Sequence, residues 1–107
     1  MKYATASIIW EKNENGDRLI NPTVGSFYYP LIYLDNSFVN RIINKGWSIK
    51  FLVTEADRND LCTIKFRMLV NNQESLIFFD KLRPGSRFYL TEGRRKVAEG
   101  RIQEIVE

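Results

Sequence analysis

A chain of 107 residues with 44% apolar composition is the size of one ordinary domain, so a single domain with one core over residues 1–107 is expected. Sixteen Lys and Arg against thirteen Asp and Glu leave +3, a mild balance that permits an acidic partner without requiring one. Cys62 stands alone, which excludes an internal disulfide and a cysteine-built zinc site, and there is no histidine to supply a Ser/His or Cys/His pair or a neutral-pH general base. The expectation is therefore a protein that is not an enzyme, with no cofactor and no metal site.

The opening residues, MKYATASIIWEKN, are too short and polar a run for a secretory core, and no segment approaches about 18 apolar residues. A soluble, cytoplasmic protein with no membrane partner is expected. Tyr3 to Trp10 alternates small polar with apolar side chains and reads as a strand. Glu11 to Asp17 breaks it, and Asn15-Gly16 can supply the positive φ of a tight reversal. In the loop Asn21 to Ser26, Pro22 and Gly25 oppose regular pairing; plain linkage and a functional loop are both open. Phe27 to Leu34, FYYPLIYL, suits a strand buried on both faces, with Pro30 placing it at an edge or bulge. Ser37 to Gly46 reads as a short helix or turn, with Phe38, Arg41, Ile42 and Lys45 on one face and Gly46 as its cap.

Trp47 to Thr54 alternates again and puts Trp47, Ile49, Phe51 and Val53 on one side. After a polar turn, Leu61 to Asn71 repeats the pattern, with Cys62, Ile64, Phe66, Met68 and Val70 facing the core and Cys62 a small apolar filler there rather than a reactive thiol. Glu74 to Phe79, ESLIFF, reads as a further short strand. Leu82 to Gly85 is a turn in which Pro84 and Gly85 suit the central positions of type II geometry. Arg87 to Thr91 and Val97 to Val106 close the set. Strands at this spacing without a long helix predict an all-β fold, a small sandwich or barrel.

Between Lys81 and Arg101 seven basic residues face two acidic ones, a local balance of +5. Arg94, Arg95 and Lys96 follow Gly93 at the reversal between two strands, so the pattern displays three cations at one tip. Such a cluster suits phosphates or an acidic protein surface; it equally suits a solvated turn that keeps an edge from pairing. Phe88 and Tyr89 are the nearby aromatics, and one of that adjacent pair must face the core.

Phe88 to Ile102, FYLTEGRRKVAEGRI, resembles the closing hairpin of the third, C-terminal domain of translation elongation factor Tu, whose pattern runs RFxIREGxRTVGxGxV. Arg87, Phe88, Glu92, Gly93, Arg95, Val97 and Gly100 coincide with that pattern, whereas Ala98 stands where it has glycine and Arg94 occupies its variable position, where family members carry glycine. The resemblance implies a small closed antiparallel β-barrel of about six strands, here as a stand-alone domain. It also implies an adaptor that touches protein and RNA, with Gly93 at the position whose backbone meets tRNA and Glu92 anchoring the turn. No GxxxxGK[ST] stretch is present, so nucleotide hydrolysis is not implied.

The sequence thus predicts a non-catalytic binding module. Its partner-binding residues are Gly93, Arg94, Arg95, Lys96, Arg87 and Arg101, aided by the Asn21 to Ser26 loop. A protein partner comes first and RNA second. The alternatives are a structural, homodimerising barrel in place of a monomer, and a small enzyme using an acid pair such as Asp57 with Asp60.

Overall fold

The structure, a computed structural model, describes residues 2–12, 23–34, 46–56, 61–93 and 95–106. Regular alternation folds as strand: β1 (Tyr3–Trp10), β2 (Phe27–Tyr28), β3 (Leu31–Leu34), β4 (Trp47–Ala56), β5 (Leu61–Met68), β6 (Arg87–Glu92) and β7 (Arg95–Val106), with one helix among the described residues, α1 (Gln73–Asp80), between β5 and β6. The sheet order is β2-β4-β3-β6-β7-β1-β5, and β5 pairs back onto β4. Every pairing is antiparallel. Hydrogen bonding therefore runs in a closed ring through six strands, an all-β, barrel-like fold in which closure removes most free edges.

Inward positions of the ring fill its interior. Ala4, Ala6, Ile8 and Trp10 of β1 meet Ile49, Phe51 and Val53 of β4 and Cys62, Ile64 and Phe66 of β5, all nearly or fully buried. Each large apolar side chain so buried contributes roughly 1.5–3 kcal/mol. At one end Trp10, Tyr28 and Phe51 form an aromatic trio with ring centroids 5.2–6.0 Å apart, and the Trp10 indole N–H donates to Cys62 Sγ at 3.1 Å. Cys62 is thus the inward filler that alternation predicts.

Three expectations are corrected. Glu74 to Phe79 is not a strand but lies within α1. Asn72 caps this helix: its side chain accepts from Ser75 N at 2.8 Å while Ser75 Oγ accepts from Asn72 N at 3.0 Å. Ser75, Phe78, Phe79 and then Leu82 are buried at helical spacing, and Phe78 packs 5.8 Å from Trp47 and Phe79 6.5 Å from Phe66, across the end of the ring where β4 begins. The adjacent Leu76 and Ile77, which make the segment look like a buried strand, are exposed.

FYYPLIYL is likewise not one strand buried on both faces. Lacking an N–H, Pro30 divides it into β2 and β3, which lie in line along one edge of β4, and its carbonyl accepts from Ile49 N at 3.1 Å. Burial alternates along the segment, leaving Phe27 and Tyr29 outside. Finally, Val70 is 52% exposed rather than in the core, because β5 ends at Met68 and the Val70 carbonyl turns to accept from the Ser75 hydroxyl.

The Pro84-Gly85 turn forms as expected, with Gly85 at φ +89° and Ser86 N donating to Arg83 O at 2.9 Å. The reversal at Asn15-Gly16, the helix or turn over Ser37 to residue 45, and the Asp57/Asp60 pair lie outside the described residues.

Candidate functional site

The β6–β7 hairpin carries five of the six predicted partner-binding residues among those described, and register decides where each one points. Arg87 is directly opposite Arg101, Tyr89 opposite Glu99, and Phe88 opposite Gly100. On the next strand Ser7 meets Arg101 and Ile9 meets Glu99; beyond it, Thr63 meets Ser7 and Leu61 meets Ile9. Two rows of outward side chains therefore cross β6, β7, β1 and β5. They line an open groove of about 470 Å³ with Ile9, Leu61, Arg87, Tyr89, Glu99 and Arg101 in its walls.

Gly100 is needed beneath this groove. A Cβ there would come within 2.7 Å of Ile8 Cγ2 and 2.9 Å of Phe88 Cζ, and closer still to the Ser7 carbonyl. Its absence lets β1 and β7 approach while Phe88 fills the interior on the other side.

Lys96 reaches the groove by a different device. Residues three apart on a regular strand point to opposite faces, so Lys96 and Glu99 should diverge. The pairing slips between Leu90, opposite Ala98, and Thr91, opposite Lys96; Val97 is the extra residue, and both Val97 and Ala98 are buried. The bulge returns Lys96 to the outer face. Its ammonium lies 2.8 Å from Glu99 Oε2 and 3.3 Å from Glu11 Oε1. The hydrogen bond to Glu99 raises the Lys96 pKa above its ordinary value, against a smaller desolvation effect, and the same bond lowers that of Glu99.

The predicted residues thus separate into groups. Arg87, Lys96 and Arg101 converge on the groove, with Lys96 already held by two carboxylates. Gly93 and Arg95 are exposed at the reversal; Gly93 has φ +60° with open space around it, so backbone conformation, not crowding, selects glycine there. Glu92 is the register partner of Arg95 and is exposed. Arg94 lies outside the described residues. Of the Asn21 to Ser26 loop, Thr23 to Ser26 form a turn tied to β4 by Gly25 N to Val53 O at 2.9 Å, with Val24 exposed.

Sequence reasoning missed Ile9, Leu61 and the Tyr89 partner. Ile9 and Leu61 are 52% and 40% exposed. Tyr89 stacks on Tyr33 of β3 at 5.1 Å and 4° between planes, extending the row of outward side chains. A usable signal existed: Ile8-Ile9 are adjacent, so one had to face out, and Leu61 belonged to the outward set of its strand. Compared with known proteins, the chain matches no family model and no curated protein.

Proposed function

We propose that the protein is a non-catalytic binding module that docks a protein partner in the groove beside the β6–β7 hairpin. The observation that carries this reading is the cross-strand pair of like charges, Arg87 opposite Arg101, set among exposed Ile9 and Leu61. Like charges directly opposite each other on a sheet repel, and an arriving carboxylate relieves that repulsion through guanidinium forks. An apolar centre beside arginines is also the composition of protein interfaces. The likeness of this hairpin to that of the elongation factor Tu third domain supports an adaptor role by analogy of fold and motif, in a cytoplasmic setting.

Capture from the native cell, with Arg87→Glu/Arg101→Glu and Arg94→Glu/Arg95→Glu as paired baits, tests the reading. A partner retained by the wild type, lost by the first variant and shown with purified components to bind directly is the expected result; partners common to all three baits overturn it. RNA is the second reading, favoured by the guanidiniums beside the stacked Tyr33–Tyr89 pair. On that reading Arg94→Glu/Arg95→Glu weakens RNA binding and flattens its salt dependence.

A further inference from the structure

A second outward surface lies on β2, β4, β5 and the start of β1, and the groove reading does not use it. Lys50 is directly opposite Arg67, and Leu52 is opposite Lys65 on one side and Phe27 on the other. These residues and Tyr3 line an open depression of about 320 Å³ with no acidic side chain among the described residues of its wall. None of the three cations is ion-paired to a described carboxylate. Glu55 of β4 comes nearest by register, opposite Thr63 and so one pleat along β5 from Lys65; Glu104, on β7, lies two strands away, with Thr5 of β1 between it and Lys65.

What two of the cations touch instead is aromatic. Lys50 Nζ sits 4.3 Å from the Phe27 ring centroid and Lys65 Nζ 4.0 Å from that of Tyr3. Phe27 is 52% exposed, Tyr29 60%, and Val24, in the turn leading into β2, 58%. Three of the most exposed apolar side chains among the described residues therefore fall within six positions of sequence, beside cations with no carboxylate partner among the described residues.

We infer that this wall adsorbs to a bilayer surface bearing anionic headgroups. Lys50, Lys65 and Arg67 meet the phosphates and carboxylates of the headgroup layer, while Phe27, Tyr29 and Val24 enter the interfacial zone, where aromatic rings with one polar end are favoured. A single-stranded nucleic acid is the competing polyanion. It fits less well: the Phe27 and Tyr3 ring faces are already covered by ammonium groups instead of being open to bases, and an exposed valine has no role in base or phosphate recognition. No helix of the described residues is long and apolar enough to cross a membrane. Adsorption needs no such span, so it departs from the sequence expectation of no membrane partner without requiring insertion.

The test is co-sedimentation of the full chain with vesicles of phosphatidylcholine alone and of phosphatidylcholine mixed with phosphatidylglycerol, at low and high salt. Binding to the mixed vesicles that weakens with salt is expected. Lys50→Glu/Arg67→Glu should lower affinity by about 25-fold or more, since each of the two cations near an anionic surface is worth roughly fivefold. Arg87→Glu/Arg101→Glu makes the same change in net charge on the other wall and is expected to leave vesicle binding nearly intact, with folding of both variants checked by circular dichroism. Phe27→Ser/Tyr29→Ser, which keeps every charge, should remove the binding that survives high salt. Equal loss in the two charge-reversed variants, equal binding to neutral vesicles, or binding of an oligouridylate probe with none to vesicles each overturns the proposal. Because the groove variant serves here as the control, failure of this inference leaves the docking groove standing, and the reverse.

Discussion

The two outer walls of the ring carry three described cations each and dispose of them differently. In the hairpin groove Arg87 and Arg101 are set side by side and Lys96 is held by Glu99 and Glu11. On the β2–β4–β5 wall Lys50 faces Arg67, and Lys50 and Lys65 rest on aromatic rings. A carboxylate neutralises its cation and fixes it; a ring face holds the cation while leaving its charge uncompensated. Local charge balance along the sequence, +5 around the hairpin, therefore does not identify the more electropositive wall, because pairing across strands decides it.

The largest expected effect tests whether the walls share one support. Phe66 is 1% exposed, and its ring lies 6.5 Å from that of Phe79 and 6.1 Å from that of Phe88. Phe66→Ala should lower stability by about 3–5 kcal/mol, read as a fall in the denaturation midpoint with one cooperative transition by tryptophan fluorescence and circular dichroism. Two separate transitions would show that the walls unfold independently. Gly100→Ala bears on the groove alone, since its Cβ meets Ser7, Ile8 and Phe88; about 1–3 kcal/mol of destabilisation is expected from such overpacking. A neutral result would mean that β1 and β7 separate easily.

Smaller effects follow at the reversal and the charges. Gly93→Ala forces a side chain onto φ +60° and should cost about 1 kcal/mol in urea unfolding. Lys65→Met keeps the packing but removes the cation from the Tyr3 ring, with a loss of about 0.5–1 kcal/mol expected. Smallest is Glu99→Gln, below about 1 kcal/mol for a surface pair. Its signature is pH dependence. Because the Glu99 pKa is lowered on folding, its contribution is complete above the ordinary carboxylate value and disappears as pH falls through the lowered one. Because that of Lys96 is raised, its share persists to the ordinary lysine value of 10.5 and is lost as pH rises beyond it. A wild-type-minus-variant difference that is flat from acid to alkali would contradict the pairing.

Strand alternation made most of the ring legible, because a side-chain period of two maps directly onto inside and outside: Trp47, Ile49, Phe51 and Val53 are all buried, as their spacing requires. What stayed hidden depended on local chemistry that competes with that period. α1 was legible in principle, since Asn72 and Ser75 form a cap and Ser75, Phe78, Phe79 and Leu82 recur at helical spacing, but the continuous apolar run obscured it. The place of Lys96 was not legible, because a bulge at Val97 leaves no clear mark in the residues themselves. Nor was the basic wall, whose members come from residues far apart in sequence, Tyr3, Phe27, Lys50 and Lys65 among them.

The hydrogen bond from Trp10 to Cys62 gives the molecule an internal gauge of its own breathing. Cys62 is the single thiol of the chain and is 1% exposed, shut between β1 and β4. A thiol reagent can reach it only when those strands part, so the labelling rate under native conditions, compared with that of the unfolded chain, measures the free energy of opening at that end of the ring. The same event frees the Trp10 indole from the sulfur at 3.1 Å, so fluorescence and alkylation should report one opening from its two sides.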